Sequence, residues 1–324
     1  MAKLEIALAT FQSEAYLRAQ LASLFNQSCQ DFIILVADDG STDATLDILS
    51  EYSAVYPGRI RLLQFASRAG GPCQNFSRIL DAAQSEYLMF CDHDDVWLED
   101  KIETSLERME ALEGSLGSGR PILVHTDLSV VGPDLRPLFP SFSRHERLSA
   151  HNGEFRRLAV QNNVTGCTML LNRALYQIAR PIPHHAPMHD WWIALVAAAF
   201  GTISFISRPT VLYRQHGKNS VGITKRRGWT NKFTRVMNFM RGRNSGGYER
   251  LLRVTRQAQL FRDQYAFRLT PELYSLVSSL ADLWVSPVAG RLWTLIGNRF
   301  FAFRTMRTIE LLIGACSRAS RIRS

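Results

Sequence analysis

The sequence predicts an α/β fold built on a mostly parallel sheet, and three observations lead there. Strand-like apolar runs alternate with helix-spaced segments from residue 4 to residue 97, the rhythm of β-α-β units with right-handed crossovers. The run FIILVA over 32–37 is β-branched and wholly apolar, as a central parallel strand covered on both faces must be. Successive strand candidates end in polar, carboxylate-rich turns, and open α/β sheets bind ligands at the carboxyl ends of their strands.

Taken in order, residues 4–10 form the first strand, and 14–26 place Tyr16, Leu17, Leu21, Leu24 and Phe25 at helical spacing. The second strand, 32–37, ends in DDGSTD over 38–43. Gly40 permits a tight turn there, and Ser41 or Thr42 is expected to cap a helix carrying Leu46, Ile48 and Leu49. Residues 60–65 read as a third strand and 75–85 as a third helix. The stretch YLMFCDHDDVW over 87–97 then combines an aromatic-rich apolar strand with three carboxylates, Asp92, Asp94 and Asp95. A helix follows over 99–113. The glycines of 114–121 do not match GxGxxG, so a dinucleotide fingerprint is absent. Further on, 121–126 reads as a strand, 127–131 as an irregular turn, 153–163 as helix and 167–171 as strand. The PMHD sequence at 187–190 introduces a helix over 191–200, and 203–206 and 211–213 are short strands leading to RQHGKN at 214–219.

The three acids at 92, 94 and 95 repel one another unless a cation, or a metal carried by a diphosphate, neutralises them. Oxygen-only ligands favour a hard ion, Mg²⁺ or Mn²⁺. The plainer reading is a solvated loop with Asp95 or Glu99 at a helix N-terminus. Three polar strand ends in one sheet, at Thr10, at Asp38–Asp39 and at Asp92 to Asp95, exceed what turn chemistry requires. A nucleotide supplies the missing reason, because one carboxylate accepts the N3–H of a pyrimidine and another binds a ribose hydroxyl or a metal.

Charge divides the chain. Residues 1–217 carry 18 Lys and Arg against 24 Asp and Glu, a net −6, whereas 218–324 carry 20 against 5, a net +15. The five cysteines are scattered and never paired as CxxC, which fits reduced thiols facing a cytosol rather than a disulfide framework or a zinc site. No signal-peptide pattern and no window of ~18 uninterrupted apolar residues stands out. In the basic part, KRRGW at 225–229, RGR at 241–243 and an apolar 283–316 stretch broken by Arg291, Arg299, Arg304 and Arg307 suit an anionic membrane surface. The alternative is a helix pair packing on the catalytic domain with a solvated basic face. A nucleic-acid partner is not expected, since no helix-turn-helix, zinc-finger or RNA-recognition pattern accompanies the charge.

With these residues in view the chain resembles the family-2 glycosyltransferases, which have the GT-A fold. ATFQ at 9–12, VADDGSTD at 36–43, CDHDDVW at 91–97 and HD at 189–190 carry the resemblance in order, and YRQHGKN at 213–219 looks like the bacterial rhamnosyltransferase-like branch. The resemblance implies that Thr10 and Asp39 hold a uracil or thymine base, with Asn75 also among the donor-binding residues. It sets Asp94 near the ribose and Asp95 at the metal-binding acid. Asp92 and Asp94 complete the metal set, the pairing within the triple being ambiguous. Arg214 and His216 would touch the diphosphate or metal, and Asp190 would be the catalytic base. Asp190 also has a plainer role as a helix-start acid. His189 and His216 read more naturally as hydrogen-bonding groups than as metal ligands, and Trp191–Trp192 as core on one side and a sugar-stacking wall on the other. Many relatives have Asn where this chain has Arg68, which is expected either to pair with phosphate or to solvate its loop.

The resulting expectation is a GT-A catalytic domain over 1–217 and a basic helical region over 218–324. The activity implied is Mg²⁺- or Mn²⁺-dependent, inverting transfer of a hexose to a saccharide or lipid-linked saccharide in cell-surface polysaccharide synthesis. L-rhamnose from dTDP-rhamnose is the first choice of donor and a UDP-sugar the alternative. The protein is expected in the cytoplasm, at the inner face of the membrane. The rivals are a non-catalytic membrane- or polyanion-binding protein on the same scaffold, and a nucleotidyltransferase. The latter normally shows a Gly-rich basic phosphate loop near its N-terminus, which residues 10–17 are not.

Overall fold

The computed structural model describes residues 2–148, 153–216 and 245–317. The chain divides into two compact units, one of residues 1–153 with 163–216, the other of 154–162 with 217–324.

In the first unit β1 (Leu4–Thr10), α1 (Leu17–Phe25), β2 (Phe32–Asp38), α2 (Thr45–Val55), β3 (Ile60–Leu62), α3 (Pro72–Ala82) and β4 (Tyr87–Asp92) alternate. Next come β5 (Val96–Trp97), α4 (Lys101–Leu116), β6 (Ile122–Val131), β7 (Pro137–Phe139) and the single turn α5 (Phe142–His145). A second single turn, α6 (Phe155–Leu158), falls in the other unit. A 3₁₀ turn (Gly166–Thr168), β8 (Met169–Asn172), α7 (Arg173–Ala179), α8 (His189–Phe200) and β9 (Thr202–Arg214) complete the first.

The sheet order is β3-β2-β1-β4-β8-β6-β9-β5, with β7 on β6. β3, β2, β1 and β4 are parallel, β8 is antiparallel to both of its neighbours, and β6 and β9 are again parallel. Every residue of β1 is buried, which requires cover on both faces and explains why it is apolar apart from Glu5, whose carboxylate accepts from Gln84 N and Ser85 N, and Thr10 at its end. Leu4, Ile6, Leu8, Ile34, Val36, Leu88 and Phe90 have no exposed surface, and each such side chain contributes roughly 1.5–3 kcal/mol. The register sets Thr10 opposite Asp38 and Ala9 opposite Asp92, so the carboxyl ends of three neighbouring strands stand abreast.

Several elements differ from expectation. Residues 127–131 continue β6 rather than turning, and β9 is one thirteen-residue strand rather than two short ones. Their pairing runs from Ile122–Thr202 to Val131–Arg214 and absorbs two register shifts, between Thr126 and Asp127 and between Asp127 and Ser129. Pro209 lies at the shift and has no N–H for the ladder, so the local pattern reads as a break while the flanking pairs carry the strand through. The expected helix over 153–163 is reduced to α6.

In the second unit, helices Ser245–Tyr265, Pro271–Ala281, Val288–Gly297 and Thr305–Ala315 pack together. The first and last of these cross at Gly247 and Gly314, where a Cβ on either would meet the other helix's backbone at 2.4 Å. The 283–316 stretch therefore holds two helices, and Arg291 is not on a solvated polar face. It is buried, lies over Trp284 at 4.8 Å, and donates to the carbonyls of Ser286, Ala315 and Ser317 at 2.8, 3.3 and 3.0 Å. Those last two carbonyls are at the end of helix Thr305–Ala315, where a cation is favoured. Val285, Trp293 and Ile296 are exposed at 87, 77 and 50%. The basic runs at 225–229 and 241–243 lie outside the described residues. Among the described residues no helix is long and apolar enough to cross a membrane.

Candidate active site

The turn after β2 is tied from several sides. Asp38 accepts from Thr10 Oγ1 at 2.8 Å, from the N–H groups of Gly40 and Ser41 at 3.0 and 2.8 Å, and from Ser41 Oγ at 2.6 Å. Ser41 also accepts from Gln12 N, and Thr42 N donates to Gln12 Oε1. Neither residue therefore caps α2. Its first N–H groups go instead to Glu14, which accepts from Ala44 at 3.0 Å, and to Asp43, which accepts from Thr45 at 3.1 Å.

Asp39 N donates to Thr10 O at 2.9 Å, so the two residues expected at the base are neighbours. The Asp39 carboxylate accepts N–H bonds from Ala69, Gly70 and Gly71, the last two at 3.1 Å each. Gly70 and Gly71 have φ of +80° and +142°, which lets consecutive N–H groups converge into an anion-holding nest. Arg68 does more than solvate its loop. It donates to the carbonyls of Asp39 and Gly40 at 2.7 and 2.6 Å and lies 5.0 Å above the Phe11 ring. Gly40 has φ +82°, which disfavours other residues, and a Cβ there would sit 2.6 Å from Arg68 Nε and displace that guanidinium. Asn75 donates to Ala37 O at 2.7 Å, fixing α3 to β2, and its Oδ1 is buried with no hydrogen-bond partner.

At the end of β4 the three acids separate. Asp94 Oδ2 lies 2.8 Å from His216 Nε2, and the His216 ring lies against Tyr16 at 4.8 Å. Asp95 is fully buried, and its Oδ1 accepts from Arg214 N at 3.0 Å while Oδ2 has no hydrogen-bond partner. Asp92, Asp95 and Cys167 bring one ligand atom each within 4.8 Å of one another, and Asp94 is not in that group. Burial above all, and then the neighbouring acids, raises the pKa of both Asp92 and Asp95. An orphaned buried carboxylate oxygen beside a second acid is what a bound cation would satisfy, so these residues fit a divalent ion. Arg214 is buried over Tyr16 at 4.6 Å and donates to the carbonyls of Asp94 and Pro133 at 2.7 and 2.5 Å. It binds the acidic turn to the end of β9.

Asp190 lies in the first turn of α8, half-buried. Its carboxylate accepts from Trp191 N at 2.6 Å and from Gly166 N at 3.1 Å. Desolvation lifts its pKa to about 7, against the lowering effect of those N–H bonds. The charge of Asp190 contributes to the raised pKa of Asp92, so the two acids lie within electrostatic reach of each other. A group of that pKa, in reach of the acids at the end of β4, can take a proton from a hydroxyl near neutrality. His189 is buried, with both ring nitrogens lacking a hydrogen-bond partner, and packs against Phe76 and Phe90. Its pKa is pushed down to about 3 by burial, so it is a neutral wedge. Trp192 is fully buried and donates to Ala179 O at 3.1 Å, whereas Trp191 is half-exposed.

Three further residues escape the sequence reading. Gly166 holds Asp190, Cys167 faces Asp92 and Asp95, and Lys101 is fully buried above Trp97 at 4.4 Å with no hydrogen-bond partner on Nζ. Burial drives the Lys101 pKa down to about 8. No local spacing marks them, because Cys167 lies 72 positions beyond Asp95 and meets it only through the antiparallel pairing of β8 with β4.

Comparison with known proteins identifies the family and the fold. The sequence profile of Glycosyl transferase family 2 matches residues 5–177. A dTDP-rhamnosyl transferase of Shigella flexneri, RfbG, is 28% identical over 226 residues, 66% of this chain and 73% of that protein. A putative teichuronic acid biosynthesis glycosyltransferase of Bacillus subtilis, TuaG, is 28% identical over 193 residues, 59% of this chain and 71% of its own. Among solved structures, S. aureus TarS 1-349 in complex with UDP-GlcNAc superposes with a TM-score of 0.54 at 17% identity, covering 97% of this chain and 90% of that one. The mannosyltransferase PcManGT from Pyrobaculum calidifontis, in complex with GDP-Man and Mn²⁺, gives 0.51 at 15% identity, covering 97% and 86%.

Proposed function

This chain belongs to glycosyl transferase family 2 and has the GT-A fold, and we propose that it carries out an inverting, divalent-metal-dependent hexosyl transfer from a nucleotide-diphosphate sugar to a saccharide acceptor. The observation that carries the reading is Asp190, a carboxylate of near-neutral pKa held by two backbone N–H groups and within electrostatic reach of Asp92.

In this reading Thr10 and Asp39 meet the base, with Asn75 and the 69–71 loop beside them, and Asp94 meets the ribose. Asp92 and Asp95 hold Mg²⁺ or Mn²⁺, with Asp94 next to them. When bound, such an ion offsets the negative charge that develops on the departing diphosphate. Arg214 and His216 fix the acidic turn beside that charge. Asp190 accepts the proton of the acceptor hydroxyl as its oxygen attacks the anomeric carbon from the face opposite the leaving group. One displacement inverts the configuration. Half-exposed Trp191 offers a ring to the apolar face of a sugar.

The sugar we favour is L-rhamnose, from dTDP-rhamnose, for cell-surface polysaccharide. The similarity to the Shigella protein supports this choice, and a UDP-sugar is the alternative. A lipid-linked acceptor at the cytoplasmic face of the membrane fits the net +15 of residues 218–324 and the exposed Trp293, Val285 and Ile296. The test is a thermal-shift panel of dTDP-, UDP- and GDP-sugars with and without Mn²⁺, since a ligand that binds the folded state raises its melting temperature. Selective stabilisation by one Mn²⁺–nucleotide sugar is expected. No response to any of them would contradict donor binding.

A further inference from the structure

We propose that Cys167 is a protein ligand of the divalent cation at Asp92 and Asp95, and that its sulfur makes this site prefer Mn²⁺, Co²⁺ or Cd²⁺ to Mg²⁺. The proposal rests on the reading of Asp92 and Asp95 as metal-binding acids and specifies how this chain completes them.

Three elements bring the donors together. Asp92 ends β4, Asp95 stands in the turn before β5, and Cys167 lies in the 3₁₀ turn that leads into β8. Because β8 pairs with β4, the thiol arrives within 4.8 Å of both carboxylates. The second, independent observation is Asp95 Oδ2, a fully buried carboxylate oxygen with no hydrogen-bond partner. The Cys167 thiol is the donor that faces Asp95, and a thiol donates only weakly. Cys167 is itself 1% exposed, so it gains nothing from solvent and is inert as a free nucleophile.

Mixed oxygen and sulfur donors suit borderline and soft ions, whereas Mg²⁺ demands near-octahedral oxygen ligands and sheds its waters reluctantly. On coordination the Sγ–H bond breaks, the proton passes to buffer, and a sulfur lone pair forms the bond to the metal. No oxidation state changes. Cys167 also follows Gly166, whose N–H holds Asp190, so one peptide links the metal ligand to the proposed base.

The test is a Co²⁺ titration of the full chain in the presence of UDP, followed by absorption and by calorimetry. A thiolate-to-cobalt charge-transfer band in the near ultraviolet is expected, saturating with a single Co²⁺. Cys167→Ser should lose the band and bind Co²⁺ roughly 10–100-fold more weakly, at least what loss of an outer-sphere partner costs. Its Mg²⁺ affinity should change little. Cys91→Ser, with the fully buried neighbouring thiol removed, should keep the band. Saturable Co²⁺ binding without a band in the unmodified protein would overturn the proposal, even if Cys167→Ser fails to fold. So would a band that survives Cys167→Ser. If calorimetry finds no Co²⁺ or Mn²⁺ binding with UDP present, the metal reading itself falls, a result distinct from cation binding without sulfur.

Discussion

The backbone N–H of Gly166 donates to Asp190 Oδ2 at 3.1 Å, and the ring of His189 fills the space where a side chain on Gly166 would begin. A Cβ there would lie 2.7 Å from His189 Nε2, and the ring cannot retreat easily because Phe76 and Phe90 lie against it at 4.2 and 5.0 Å. Gly166→Ala is therefore expected to shift the turn that holds Asp190. Overpacking of this kind costs ~1–3 kcal/mol of stability. Misplacing a catalytic group by about an ångström costs on the order of 10²-fold in rate. Donor affinity should change little, so turnover and donor binding measured on one preparation check the claim. Normal turnover would mean that this N–H does not position the base.

The pH dependence follows from the same residue. A general base works ionised, and Asp190 titrates at about 7, so transfer should rise with pH through that value and then level off. Stability has the opposite sign. Desolvation raises the folded-state pKa above the ordinary carboxylate value, so between about pH 4 and pH 7 the unfolded chain gives up a proton that the folded one keeps. This contribution is fully present at low pH and is lost as pH rises through 7. Asp190→Asn removes it, and the melting temperature of the variant should therefore gain on that of the parent as pH rises across this window.

Asp95 makes the corresponding prediction for the metal. Its carboxylate is buried with one oxygen unsatisfied, and burial, Asp94 and Asp92 together raise its pKa. Asp95→Asn keeps an acceptor for Arg214 N but no charge, so the metal-free protein should melt higher at and above neutral pH. Metal-dependent donor binding should disappear. Equal donor affinity for parent and variant, in Mn²⁺ and in EDTA alike, would show that Asp95 holds no metal.

Much of this site was legible in the sequence, because strand-end acids stand beside the apolar runs that carry them. Phe32–Asp38 and Tyr87–Asp92 announce both a buried strand and its acidic end, and Thr10, Asp39, Asp92, Asp95 and Asp190 all lie at element ends where the pattern changes. What stayed hidden depends on contacts between distant segments. Arg68 clamps the Asp39–Gly40 carbonyls across a loop, Arg291 caps a helix that starts fourteen residues later, and Cys167 reaches Asp95 through a strand pairing. Charge alone placed Arg291 on a polar face, since composition does not tell a solvated guanidinium from one whose donors are taken by buried carbonyls. β9 read as two strands because Pro209 interrupts the local pattern while its neighbour β6 does not depend on it.

The basic second unit is expected to bind anionic lipid. Each Lys or Arg near such a surface contributes ~1 kcal/mol, and the exposed Trp293 adds an interfacial ring. Co-sedimentation with anionic vesicles should be strong at low salt and weaken as salt rises, and Trp293→Ser should reduce it. Equal pelleting with neutral vesicles, or indifference to salt, would leave only a packing role for these charges.

Asp190→Asn separates a general base from a helix-start acid. Asn keeps the size and the helix-start polarity but cannot take a proton. Loss of a positioned base costs ~10²–10⁴ in rate. Donor binding should survive, because Thr10, Asp39 and the acids at the end of β4 are untouched. The measurement is transfer rate, donor affinity and melting temperature on the same variant. If Asp190 is the base, the rate falls by two to four orders of magnitude (~10²–10⁴) with donor affinity retained and the fold intact. Near-normal turnover with near-normal stability would contradict it, leaving Asp190 as a helix-start acid and the proton acceptor elsewhere.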